Sequence, residues 1–242
     1  MRTVMLVGAL LLVACGDDGG HPADARVDTM GDTTTDTAVC AGSKIIFLNR
    51  AGGVYNAGEG DDATTNTTRV LTSGSFNVTA YPFGDSDWAT INTCVTSAFA
   101  PFGVSVTDVD PGTTPHHEIV FTTSYAVWPG GNPAPSSISS ANCPGIVPGL
   151  PQSGIAFVFS SIYGSSRPDL DCTHAVSQLA SEISGLDHSL DCQDFLGSGL
   201  TPCGPRAFLD LNLQCGETSP RTCQCGGTEQ NSFQTMKAAF CP

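Results

Sequence analysis

Apolar residues fall into short alternating runs and longer helical ones, separated by polar, glycine-rich and proline-rich stretches. Lys44-Ile45-Ile46-Phe47-Leu48 is a compact β-rich run closed by the Gly52-Gly53 turn, so the folded part opens with a strand. Residues 58–68 are polar and read as a loop, whereas residues 76–81, FNVTAY, alternate as a half-buried strand does. Trp88, Ile91, Val95, Ala98 and Phe99 then recur at helical spacing; Asp85 or Ser86 can cap that helix and Pro101 ends it. Residues 103–109 and 118–122 are strand-like on either side of the turn Asp110-Pro111-Gly112. IAFVF at 155–159 is continuously apolar, as in a fully buried strand. Strand, helix and strand in this order predict an α/β (α+β) domain with a helix packed on a mixed sheet.

A second helix is predicted from a cap at Asp171 to Ser184, with Gly185 as its left-handed C-cap. Val176, Leu179, Ala180, Ile183 and Leu186 form its core stripe, and His174, Gln178 and Glu182 stack at four-residue intervals on another row. His116-His117-Glu118 is the other histidine cluster. Neighbours on an extended chain point to opposite faces, so His116 and His117 read as surface residues leading into a strand rather than as a chelating pair. Residues 128–153 contain six prolines and read as one long irregular loop. Beyond Asp191, six cysteines accompany little continuous apolar pattern, so cross-links hold that part. Phe208, Leu209, Leu211 and Leu213 are its packing residues, and residues 232–240 form a closing helix with Phe233, Met236 and Phe240 on one face.

Composition adds a compartment. The 242 residues, 40% hydrophobic, suffice for one core plus appendages. A formal net charge of −14 with nine scattered Lys and Arg residues excludes a nucleic-acid partner, which would need clustered cations. Residues 1–14 carry Arg2 and an apolar run too short to span a bilayer, as a signal peptide does. Leu12-Val13-Ala14-Cys15 is similar to the lipobox of bacterial lipoproteins, which implies lipidation at Cys15 and a membrane partner through the acyl anchor. An ordinary secretory signal with a chance cysteine is the alternative, and either one implies export. Residues 16–39 are rich in Asp, Gly and Thr and read as a disordered acidic tether, with His21 a solvated residue of it.

The ten cysteines beyond Cys15 are Cys40, Cys94, Cys143, Cys172, Cys192, Cys203, Cys215, Cys223, Cys225 and Cys241. An even count in an exported chain reads as up to five disulfides of undetermined pairing. Cys223 and Cys225 stand too close in sequence to bridge each other and should reach different partners. The rival reading is a thiolate metal site at Cys215, Cys223 and Cys225.

Gly185-Leu186-Asp187-His188 after the second helix, the start IIFLNRAGGVY, the segment FAPFGVSVTDVDPG and the end CGPRAF, CGE and CQCGGTEQNSFQ carry a family likeness. Over residues 44–242 the chain resembles the metzincin zinc endopeptidases, and more closely bacterial exported, cysteine-rich proteins with a metzincin-like domain. That resemblance implies a mixed twisted sheet with two main helices over residues 40–190, and a disulfide-rich C-terminal subdomain over 191–242. The HExxHxxGxxH frame, laid on Gly185 and His188, puts Gln178 and Glu182 at the first two zinc ligands and Leu179 at the general base. Leu196 stands where the family places a methionine turn.

A leucine cannot accept a proton from zinc-bound water, so the resemblance leads first to a membrane-anchored pseudoprotease that acts as a binding module, with no catalytic residue and no cofactor. The second reading is a zinc-dependent endopeptidase with an atypical metal site of Gln178, Glu182 and His188, or His174 in place of Gln178. The third is an adhesin or inhibitor-like protein whose partner, a protein or peptide, meets loop 128–153 and the cysteine-rich end. Other chemistries lack their motifs: there is no GxSxG elbow and no phosphate-binding loop, and Asp187-His188-Ser189 in a row is not a triad.

Overall fold

The computed structural model describes residues 45–123, 125, 135–141, 143, 153–198 and 203–240. The stretch expected to be a signal peptide, Cys15, the stretch expected to be a tether with His21, Cys40, Lys44, Cys241 and most of the segment 128–153 lie outside the described residues. Within Ala38–Pro242, which is one compact unit, the chain builds a mixed five-stranded sheet from β1 (Ile45–Asn49), β5 (Ser105–Thr107), β6 (His117–Thr122), β7 (Ser137–Ser139) and β8 (Ile155–Phe159). Their order is β5-β1-β6-β8-β7. The first four run parallel, and β7 pairs antiparallel to β8 at the edge.

The sheet is covered on both faces, which is why β8 is apolar throughout. Ile46, Leu48, Ile119, Phe121 and Val158 face one core with helices α1 (Asp85–Phe99) and α2 (Pro168–Ser184). Val120, Ile155, Phe157 and Phe159 face a second core with Tyr55, Leu71 and Val78. Those last residues come with a small sheet of β2 (Gly53–Ala57), β3 (Thr67–Thr68) and β4 (Ser75–Val78), ordered β3-β2-β4. The polar segment 58–68 is thus not all loop, since it ends in β3, and β7 forms inside the stretch expected to be irregular.

Helix α1 buries Trp88, Ile91, Val95, Ala98 and Phe99, the residues that helical spacing selects. Its N-cap is Gly84, with no side-chain cap from Asp85 or Ser86. Helix α2 begins three residues before Asp171: Pro168 occupies the first turn, where a missing N–H costs nothing, and Asp171 is a buried residue inside the helix. Cys94 of α1 is bonded to Cys172 of α2.

The C-terminal part adds the hairpin of β9 (Leu213–Gln214) and β10 (Glu229–Gln230) and helix α3 (Ser232–Phe240). Met236 and Phe240 are buried, and Phe102, Phe208, Phe233 and Phe240 form a ring cluster that joins α3 to the end of α1. Phe208 packs as expected, but Leu211 is 57% exposed. Three further disulfides are Cys143–Cys225, Cys192–Cys203 and Cys215–Cys223. Cys223 and Cys225 do reach different partners, and the pairing removes the thiolates that a metal site at Cys215, Cys223 and Cys225 would need. Among the described residues no helix is long and apolar enough to cross a membrane.

Candidate functional site

The corner after α2 is built by Gly185, whose φ of 68° turns the chain with the left-handed geometry glycine adopts without strain. Its N–H closes the last turn on Ser181 O at 2.8 Å. Asp187 then anchors the corner. Its carboxylate accepts from the His188 N–H at 2.7 Å, the Gln224 N–H at 2.6 Å and Arg221 Nη2 at 2.8 Å. Burial works to raise its pKa, but these donors outweigh that and hold it below the usual carboxylate range.

His188 is half-buried, with Nδ1 3.3 Å from Leu196 O. Leu196 is 2% exposed, and its carbonyl also accepts the Ser189 N–H at 3.0 Å. The main chain at Leu196 therefore runs against the histidine, while its side chain belongs to the core shared with the helices.

The row on α2 is taken up by packing. Leu179 is fully buried in the core between the helices and the sheet. Ser139 on β7 donates to Gln178, at 2.9 Å to Oε1 and 3.0 Å to the main-chain oxygen. Glu182 is 1% exposed and packs so tightly on Gly154 that a Cβ there would stand 2.5 Å from Glu182 Cγ. Burial, together with the Asp61 carboxylate from the small-sheet layer, raises Glu182 to about 9, against the opposing pull of Arg69. The group is therefore protonated at neutral pH. His174 lies parallel to the Tyr163 ring at 12°, with Nε2 2.8 Å from the Tyr163 hydroxyl. Burial, then the charges of His188 and Arg206, push it down to about 4.

Among the described residues no three His, Cys, Asp or Glu side chains are grouped to hold a metal ion. Gln178, Glu182 and His188 do not fit a zinc ion: the Gln178 oxygen is engaged by Ser139, the Glu182 side chain is packed on Gly154, and the His188 imidazole turns to Leu196. The arrangement is a rigid corner flanked by a helix face that the edge strand and the small-sheet layer cover.

The pair read as surface histidines is buried: His116, His117 and Glu118 are each 2% exposed, because β6 is a central strand covered on both sides. His117 Nδ1 accepts the Gly154 N–H at 3.0 Å, and His116 sits edge-on to Phe47. Glu118 points the other way, where Oε1 accepts from Asn49 Nδ2 at 2.8 Å and the Tyr55 hydroxyl at 2.7 Å. Its Oε2 meets no hydrogen-bond donor among the described residues. Burial, the largest influence, pushes Glu118 up to about 7. Asp171 is likewise raised by burial to about 7. A carboxylate heading the apolar run EIVF was the signal for the first; nothing in the sequence marks the second.

Comparison of the chain with protein-family models, with curated proteins and with solved structures found no match in any of the three.

Proposed function

We propose that this chain is an exported, membrane-anchored protein whose metzincin-like domain works as a non-catalytic binding module. The observation that carries the reading is Leu179, an aliphatic side chain with 0% exposure at the position where hydrolysis needs a carboxylate beside the attacking water. The mixed sheet with two main helices and the glycine-turned corner at Asp187-His188 are features the resemblance leads one to expect, whereas Leu196 stands in place of the methionine it implies. The disulfides suit an oxidising compartment, in keeping with export. A module built this way offers rigid surfaces fixed by cross-links rather than a reacting group.

The deciding experiment incubates the purified chain with an unfolded protein and excess zinc. No cleavage above background is expected, and chelator-sensitive cleavage would overturn the reading. For the anchor, labelled palmitate should enter the wild-type chain expressed in a bacterium and be absent from Cys15→Ser.

A further inference from the structure

Where α1, the start of α2 and the segment 203–208 meet, they enclose a cavity of about 580 Å³ with an open mouth. That is the size of a small-molecule pocket. Its floor and walls are apolar: Ala98, Phe102, Leu170, Phe195 and Phe208 line it, and all five are otherwise buried. Two cross-links fix those walls relative to one another. Cys94–Cys172 ties α1 to α2, and Cys192–Cys203 clamps the third side where it enters the cavity. A pocket fixed in this manner loses little entropy on filling. None of Gln178, Leu179, Glu182 or His188 lines it, so the site is separate from the corner described above and stands whether or not that corner hydrolyses peptides.

The lining of the cavity carries more arginine than carboxylate. In a chain of net charge −14 with nine Lys and Arg residues, two of the nine, Arg167 and Arg206, border this one cavity. The single acidic side chain in its lining is Asp169, which holds Arg167 with both oxygens, Nε at 3.1 Å and Nη2 at 2.9 Å, so one positive charge is left over at the mouth. Arg206 is held in place from behind, with Nη1 donating to Asp194 O at 3.1 Å and Gly197 O at 2.6 Å. Those carbonyl bonds orient the guanidinium without removing its charge. An apolar interior rimmed by two guanidinium groups and one carboxylate selects an apolar body that ends in an anion.

We propose that this cavity binds a small amphiphilic acid, with its acyl or aromatic body against the phenyl rings and its carboxylate at Arg206 and Arg167. The test is calorimetric titration of the full chain carrying Cys15→Ser, so that no acyl anchor competes, with decanoate and with decanol. One saturable site is expected, about tenfold tighter for the acid than for the alcohol, as one charge-assisted contact gives. Ser97→Trp, on the exposed rim, should weaken decanoate at least about tenfold with the thermal midpoint unchanged, and Arg167→Gln should bring decanoate toward decanol. If Ser97→Trp lowers the midpoint, Thr173→Trp on the α2 side of the cavity is read in its place. Absence of saturable binding, unchanged affinity in the tryptophan variant, or equal affinity for acid and alcohol would each overturn the proposal.

Discussion

Glu118 shows how much one carboxyl can set. Both donors that reach it, Asn49 and Tyr55, converge on Oε1, and its surroundings are apolar enough to raise its pKa from 4.5 to about 7. The folded chain therefore holds this proton more tightly than the unfolded chain does. The stabilising contribution is full below pH 4.5 and is lost as the pH rises through 7. Glu118→Gln keeps an acceptor for both donors and removes the titration. In urea unfolding, the loss of stability between pH 4.5 and 8 should shrink by on the order of 3 kcal/mol in the variant. A slope equal to wild type would show that folding leaves the Glu118 pKa where it is in the unfolded chain. Single residues were the least legible level: the apolar context of Glu118 hinted at burial, but His116 and His117 carry no such mark, because exposure depends on neighbouring strands far away in sequence.

The elements were legible where periodicity is long. The spacing that selects Trp88, Ile91, Val95, Ala98 and Phe99 is a direct readout of one buried helix face, and the structure buries those same residues. Ends were harder. A cap-type residue at Asp171 drew the start of α2 too late, although Pro168, suited to a first turn, was the better sign. Strand β7 is three residues, Ser137–Ser139, amid prolines, and β2 buries only Tyr55, so neither leaves an alternation to read. The candidate site was legible in its letters and not in its surroundings: Gln178 and Glu182 share a row, but the layers covering them come from β7, Gly154 and Asp61. That close fit makes a prediction. Gly154→Ala places a methyl against the middle of a buried side chain that cannot swing clear, and should cost about 1–3 kcal/mol by chemical denaturation. A neutral result would mean that α2 and β8 slide apart easily.

Taken whole, the molecule has two opposed sets of carboxyls. Glu118, Asp171 and Glu182 are raised by burial, to about 7, 7 and 9, so their contributions are present in acid and lost as the pH climbs through those values. Asp187, Asp62 and Asp169 are held below the usual value of 3.8, so theirs are lost only as the pH falls below it. Thermal midpoints should peak in mild acid, between about pH 4 and 5, and be lower at pH 8: the three raised carboxyls outweigh His174, lowered from 6.5 to about 4 and acting in the opposite sense, and self-repulsion of an acidic chain adds to them. A midpoint that rises steadily from pH 5 to 8 would contradict the raised set.

The sulfur bridges differ in access. Cys143 and Cys225 are exposed and Cys192, Cys203 and Cys94 half-buried, while the paired Cys215 and Cys223 are at 0% and 6%. Under dilute phosphine the outer pairs should yield thiols promptly, whereas Cys215–Cys223 should yield them only as often as the segment around it opens. Alkylation of Cys215, followed by mass spectrometry over hours, would then act as a native stopwatch for breathing of the C-terminal part, one that needs neither a dye nor an isotope.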